Sequence, residues 1–379
     1  MSSREASVRA LSRITCSVHR QESLRIVECL RSLGIGSVIL ESGRSVRRRF
    51  HRSRFGFTRR IVRTEDSPIE IYRFDVDRSL AAAVVHSLVE SADMDAPGRG
   101  TIYSQHVDEY LPHPTPGFDG AEIRANRASP VLRDLALMTC ILSASGSGER
   151  LAELALELGT GVPIVTLGTG TGMRDRLGLL RITVPPEKEL VHLLVPALDA
   201  EGLVRQLIEK GRLNGPGRGF ISCTVVHEGL LDTRLQIGPQ EHAASMEQVI
   251  AAIDKLYAGT AWRRRFAALE SSSDYRLLRN HVEIALVCAE ERSGIYVDAA
   301  LTSGARGGTS SRVRRLRLDE AAAGDAARER CIITVPADAS ARIVQAILAA
   351  DDDHLGLDSL QVLSAPIAFT YQSPQAAGS

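Results

Sequence analysis

Two short stretches share a glycine-rich, basic make-up that suits phosphate: Pro97-Gly98-Arg99-Gly100 and Pro216-Gly217-Arg218-Gly219. Phosphate oxygens need backbone N–H groups at close range, side chains obstruct that approach, and a positive φ is free for glycine. Arg99 and Arg218 would add charge-assisted hydrogen bonds, each worth ~1.5–3 kcal/mol before desolvation. The same residues also read as a plain type II turn, which takes proline and glycine at its central positions. A third glycine run, Gly168-Thr169-Gly170-Thr171-Gly172, follows an apolar stretch and looks like a dinucleotide fingerprint, with Glu187 and Glu189 beyond it. A Rossmann turn has to open into a helix, and Gly178 with Pro185-Pro186 leaves room for only about two turns of one.

The stretch 44–63, RSVRRRFHRSRFGFTRRIVR, interleaves arginines with Phe50, Phe55 and Phe57. That pattern suits a nucleic acid backbone with stacked bases, an anionic membrane surface, or a solvated loop. Catalysis has little to stand on. Ser143, Ser145 and Ser147 lack a G-x-S-x-G context, and His106, His192 and His227 fall in strands or at strand ends, where histidine is usually structural. The expectation is a protein that is not an enzyme. Six scattered cysteines show neither C-x-x-C nor zinc-type spacing, so neither a disulfide framework nor a metal cage is indicated.

The elements that must position these residues repeat three times. The apolar strands RITCSVH (13–19), ALMTCILS (136–143) and EIALVCAEE (283–291) place Cys16, Cys140 and Cys288 at the same point. Each is followed by a segment with helical spacing that stops at a glycine, Gly34, Gly159 or Gly304, as a left-handed helix C-cap requires. A second strand, a polar stretch, a third strand, a second helix and a fourth strand complete each repeat. The order βαββαβ, three times, predicts an α+β chain of tandem ferredoxin-like units, each a four-stranded antiparallel sheet with two helices on one face. The first strands are apolar at nearly every position, so the other sheet face is expected to be buried too, one sheet covering another. The units are placed at 12–112, 131–229 and 280–372, with a Pro/Gly-rich linker at 113–130 and a connector at 230–279 carrying an extra helix near 241–266.

With 379 residues there is length for two or three cores. Forty-six basic residues balance forty-six acidic ones, and no apolar run approaches the ~20 residues of a membrane span, so a cytoplasmic protein is expected. Nearly all of the basic charge is arginine, the lysines being Lys188, Lys210 and Lys255 alone. Tandem ferredoxin-like units that bind RNA expose aromatics on two central strands; here those strands offer Tyr103 alone, which makes nucleic acid an unfavoured partner.

A βαββαβ unit with a long polar loop after strand two and a glycine-rich basic turn before strand four resembles the PII family of signal-transduction (nitrogen regulatory) proteins. The turns at 97–100 and 216–219 match that family's B-loop and 44–67 its T-loop, while the glycine run with Glu187-Lys188-Glu189-Leu190 resembles the smaller PII-like proteins. Family members are homotrimers with adenine nucleotides between subunits, where the B- and T-loops of one subunit face the C-terminal loop of the next. The resemblance therefore implies a monomeric pseudo-trimer binding ATP, ADP or AMP, with or without magnesium and without a redox cofactor. The implied nucleotide residues are Gly98, Arg99, Gly100, Gly217, Arg218, Gly219 and Lys188, together with Gly43, Arg44, Gly168, Thr169 and Gly170 after the second strands. It implies a regulated partner, a transporter or an enzyme, docked on Arg47, Arg48, Arg49, Phe50, Arg52, Arg54, Phe55 and Phe57. No T-loop tyrosine is present for uridylylation, and no glutamine near Gly43 or Gly168 matches the residue used for 2-oxoglutarate; bicarbonate is as plausible a second effector. The third repeat joins the same elements through DDDHLGLDSLQV without a basic turn, and Asp351 to Asp353 are expected to repel phosphate. A ligand-free scaffold and an enzyme using the glycine run as a phosphate loop are the competing readings.

Overall fold

The computed structural model describes residues 8–51, 61–96, 98–110, 131–172, 186–232, 275–318, 326–351 and 356–371. The linker at 113–130, the connector helix near 241–266, Arg52, Arg54, Phe55 and Phe57 lie outside the described residues. The first block runs β1 (Val8–His19), α1 (Ser23–Ser32), β2 (Ser37–His51), β3 (Ile61–Asp77), α2 (Ala81–Ser91), β4 (Gly100–Tyr110). The second runs β5 (Leu132–Leu142), α3 (Ser147–Glu157), β6 (Ile164–Gly172), β7 (Glu187–Pro196), α4 (Ala197–Lys210), β8 (Gly219–Leu230). The third runs β9 (Leu278–Ala289), α5 (Ser293–Thr302), β10 (Gly307–Arg317), β11 (Ala326–Pro336), α6 (Ser340–Ala349), β12 (Leu357–Thr370). The chain is thus α+β, with twelve described strands in one antiparallel sheet and six described helices.

Each helix closes on its own block through an apolar stripe at helical spacing, such as Ile26, Cys29 and Leu30 on α1 or Val204, Leu207 and Ile208 on α4. These stripes meet the strand residues of the same block in three separate cores. Gly34, Gly159 and Gly304, with φ of 78°, 82° and 105°, sit past the ends of α1, α3 and α5, where the left-handed turn lets the chain leave the helix.

Within each block the fourth strand pairs with the first, the first with the third and the third with the second. The blocks then join along two sets of seams. The second strands meet one another, β2 with β6, β6 with β10 and β10 with β2. The fourth strands do the same, β4 with β8, β8 with β12 and β12 with β4.

The inner faces of the strands meet at the centre, where Leu11, Val107, Leu190, Ala285, Ile332 and Leu363 from all three blocks form an apolar cluster. Both sheet faces are buried, as the apolar strands require, but the inner one also carries charge. Arg73 Nη1 lies 2.6 Å from Glu41 Oε2, and Arg330 Nη2 lies 3.6 Å from Glu283 Oε1. Arg13 Nε donates to Gln361 Oε1 at 2.9 Å, and Gln361 Nε2 donates to Asp75 Oδ2 at 2.7 Å, tying the first block to the third. Gln105 Nε2 donates to Thr224 Oγ1 at 2.8 Å, tying the first to the second. Burial and the neighbouring Arg73 and Arg13 lower the Arg330 pKa to about 10, while burial and Asp75 raise Glu109 to about 7.

The stretch expected as a polar loop at 44–67 is largely strand. β2 and β3 continue as a paired ribbon from Arg44↔Pro68 out to His51↔Ile61, so the backbone of Arg48, Arg49 and Phe50 is held in a ladder.

Candidate ligand cleft between the first two blocks

Both basic turns take the tight geometry that their glycines allow. Arg99 N–H donates to Ala96 O at 3.2 Å with Gly98 at φ 84°, and Arg218 N–H donates to Gly215 O at 3.3 Å with Gly217 at φ 69°. At Gly100 a Cβ would strike the Ser17 carbonyl of β1, so glycine is required there for strand packing. Gly219 repeats this against Ile141 O, 3.0 Å from where its Cβ would lie.

In the first block the turn faces the end of the second block. Gly98 N–H donates to Asp232 Oδ1 at 3.0 Å, and Arg47 Nη2 lies 3.4 Å from both Asp232 Oδ2 and Gly98 O. Asp232, two residues beyond β8, is itself fixed: its N–H donates to Thr101 Oγ1 at 3.2 Å and its carbonyl accepts from Val162 N–H at 2.9 Å. Its side chain is 3% exposed, so this carboxylate sits in a place with little access to water. Behind it lies a cavity of about 20 Å³ whose walls include Arg73, Thr101, Tyr103, His192 and Asp232, enough for a single water-sized molecule. His192 is held between Thr139 Oγ1 (3.3 Å from Nδ1) and Thr166 Oγ1 (3.2 Å from Nε2). Burial, with Arg73 and Arg330 adding like charge and Glu41 opposing them, lowers its pKa to about 4, so the ring is neutral at pH 7.

The other expected residues are dispersed. Arg99 ion-pairs with Glu22, Nη1 to Oε1 at 2.5 Å, on the turn before α1. Arg44 Nη1 lies 3.0 Å from Asp66 and its Nη2 4.0 Å from Glu189 Oε1. Gly43 faces the β6 backbone in the seam of second strands, where a Cβ would come 3.1 Å from Val165 O. The glycine run at 168–172 is not a phosphate loop: it is the second half of β6, where Thr169 and Gly170 pair with Ser310 and Thr309 of β10, and a Cβ on Gly168 would meet Ser310 O at 2.9 Å. These glycines let two strand backbones approach. Lys188 covers Gly170 with its stem and donates from Nζ to Ser143 Oγ at 3.2 Å. Arg218 is exposed, its stem lying over Gly215. Asp351, expected as part of an exposed acidic run, is 5% exposed and accepts from Tyr296 Oη at 2.6 Å, so it caps a core tyrosine; 352–353 lie outside the described residues.

Arg47, expected on a docking surface from its position in the arginine run, contacts the Gly98 turn and Asp232. Asp232, Thr101, Glu22 and His192 were not legible as site residues: Asp232 lies 134 positions from Gly98, and only the β4–β8 pairing brings the two together.

No family model matches the chain, and no curated protein matches it. Among solved structures it is similar to the crystal structure of aspartate kinase from Synechocystis, at 9% identity and a TM-score of 0.22 over 96% of this chain. The chain spans 45% of the length of that kinase, and a likeness of this depth carries no argument about fold or activity. Among the described residues no helix is long and apolar enough to cross a membrane, and no group of three or more His, Cys, Asp and Glu side chains is placed to hold a metal. All six cysteines are free and buried; burial raises Cys16, Cys223 and Cys288 to about 12, well away from thiolate chemistry at neutral pH.

Proposed function

We propose that the chain is a single-chain PII-like sensor, three ferredoxin-like units packed as an intramolecular pseudo-trimer that binds an adenine nucleotide between units. The strand order fourth-first-third-second in every block, and the two cyclic sets of seams, support the pseudo-trimer. The observation that carries the ligand reading is the convergence of Gly98, Arg47 and Asp232 at 3.0–3.4 Å. These belong to a basic turn, the base of the long ribbon, and the segment after the next unit's last strand, the three places that line a nucleotide in the family resembled. An anion is already seated there, in the form of a carboxylate. The stretch 44–67 is the surface on which an acidic regulated partner, a transporter or an enzyme, would read the state of the cleft.

Titration calorimetry with ATP, ADP and AMP, with and without magnesium, tests this. The reading expects binding, in the micromolar range or about −8 kcal/mol, that is lost in a folded Arg99→Ala, Arg218→Ala double variant. A ligand-free scaffold is the second reading, favoured by the small cavity and its internal carboxylate. It expects no heat from any nucleotide, and Gly217→Ala or Arg218→Ala to alter stability alone.

A further inference from the structure

We infer that Asp232 is a built-in competitor for the cleft, a latch that must leave before the phosphate of a nucleotide can use the Gly98 N–H and the Arg47 guanidinium. The inference rests on the nucleotide reading above and adds to it a means of regulation. Two observations carry it. The carboxylate occupies both groups at once, Oδ1 on the Gly98 N–H and Oδ2 beside Arg47, which is what one phosphate oxyanion would do. Its backbone is anchored on opposite sides of the interface, through Thr101 of the first block and Val162 of the second. The carboxylate can therefore swing out while the segment stays in place. A phosphate and a carboxylate cannot share the site, because like charges at hydrogen-bonding distance from one guanidinium repel strongly where water is excluded. Arg99 is restrained in the same way by Glu22. In the latched state the cleft is closed to anions, and the observed affinity is reduced by the fraction of molecules in which the latch is open. The latch belongs to the junction of two blocks, so opening it loosens the contact between the β4 turn and the end of β8 and carries the ligand's presence to the base of the arginine ribbon through Arg47.

The test is calorimetric titration of the full chain with ATP, and separately with inorganic pyrophosphate, for wild type, Asp232→Asn and Asp232→Ala. Asn keeps an oxygen acceptor for the Gly98 N–H and removes the charge; Ala removes both. Thermal unfolding confirms that each variant is folded, and Asn decides the matter if Ala is not. The latch expects affinity for ATP to rise tenfold or more in Asp232→Asn, further in Asp232→Ala, with pyrophosphate following the same order. Equal or weaker binding in folded variants, against measurable binding by wild type, overturns the latch and leaves the nucleotide reading intact. Absence of binding in all three overturns both.

Discussion

Replacing Glu41 by glutamine isolates the charge at the centre of the molecule. Glu41 and Arg73 form a 2.6 Å pair on β2 and β3 with side chains 4% and 9% exposed. Burial works against ionising Glu41, but Arg73, Arg330 and His192 outweigh it and hold the carboxyl below its ordinary value, so the pair is charged at neutral pH. Glutamine keeps an oxygen for the Arg73 N–H and is nearly the same size, which removes charge without opening a cavity. It leaves Arg73 uncompensated in an interior it shares with Arg13 and Arg330, and breaking a buried pair in this way costs ~3–5 kcal/mol. Removing both partners with apolar residues of similar volume, Arg73→Met with Glu41→Leu, is expected to cost far less, because no charge is then stranded. Guanidinium unfolding at pH 7.5, followed by circular dichroism and analysed for midpoint and slope, measures each loss. A loss under ~1 kcal/mol in Glu41→Gln would show that water screens the pair and that the interior is wetter than its packing indicates. A double variant as unstable as the single one would refute the stranded-charge reasoning in another way, by showing that packing and not charge was lost.

Protonation gives two opposing slopes. His192, lowered to about 4 in the fold, favours folding above its ordinary value of 6.5 and loses that contribution as pH falls towards 4; stability should drop by ~2 kcal/mol between pH 7 and 5, and His192→Asn should flatten the curve. Glu109, raised to about 7, acts in reverse: its contribution is complete below its ordinary value of 4.5 and is lost as pH rises through 7, so Glu109→Gln should remove a loss of up to ~3 kcal/mol read as unfolding midpoint between pH 4.5 and 8. Gly100→Ala should cost more than ~3 kcal/mol by forcing β4 off the Ser17 carbonyl, whereas Gly294→Ala on α5, with open space around it, should be neutral or stabilising by up to ~1 kcal/mol; thermal unfolding of the pair measures both.

The architecture was legible because its signals are local and occur three times. Cys16, Cys140 and Cys288 follow residues paired with Arg73, His192 and Arg330, the same register in each block, so the alignment of three short strands located equivalent points in space. The interior charge was not legible. Arg73 and Arg330 occupy alternating positions of β3 and β11 that a flat sheet would turn to water, and only the packing of the inner strand faces of the three blocks against one another puts them inside. The glycine run misled for a related reason: Gly168 and Gly170 serve close approach of strands, and a strand seam and a phosphate loop ask for the same small residue. The arginine run reads as loop by composition, yet the β2–β3 ladder needs only backbone groups and extends into it as far as His51↔Ile61 regardless of side-chain charge.

The closing role of β12 bears on how the protein is made. It pairs with β9 over most of its length and with parts of β4 and β8, strands from both other blocks. During synthesis the first two blocks can each complete four strands, but the parts of β4 and β8 that pair with β12 stay unpaired until β12 emerges. Open edges recruit other strands, including those of neighbouring copies. A chain lacking β12 leaves those edges unpaired, so the placement of β12 is the step at which edge-to-edge association is expected to compete most.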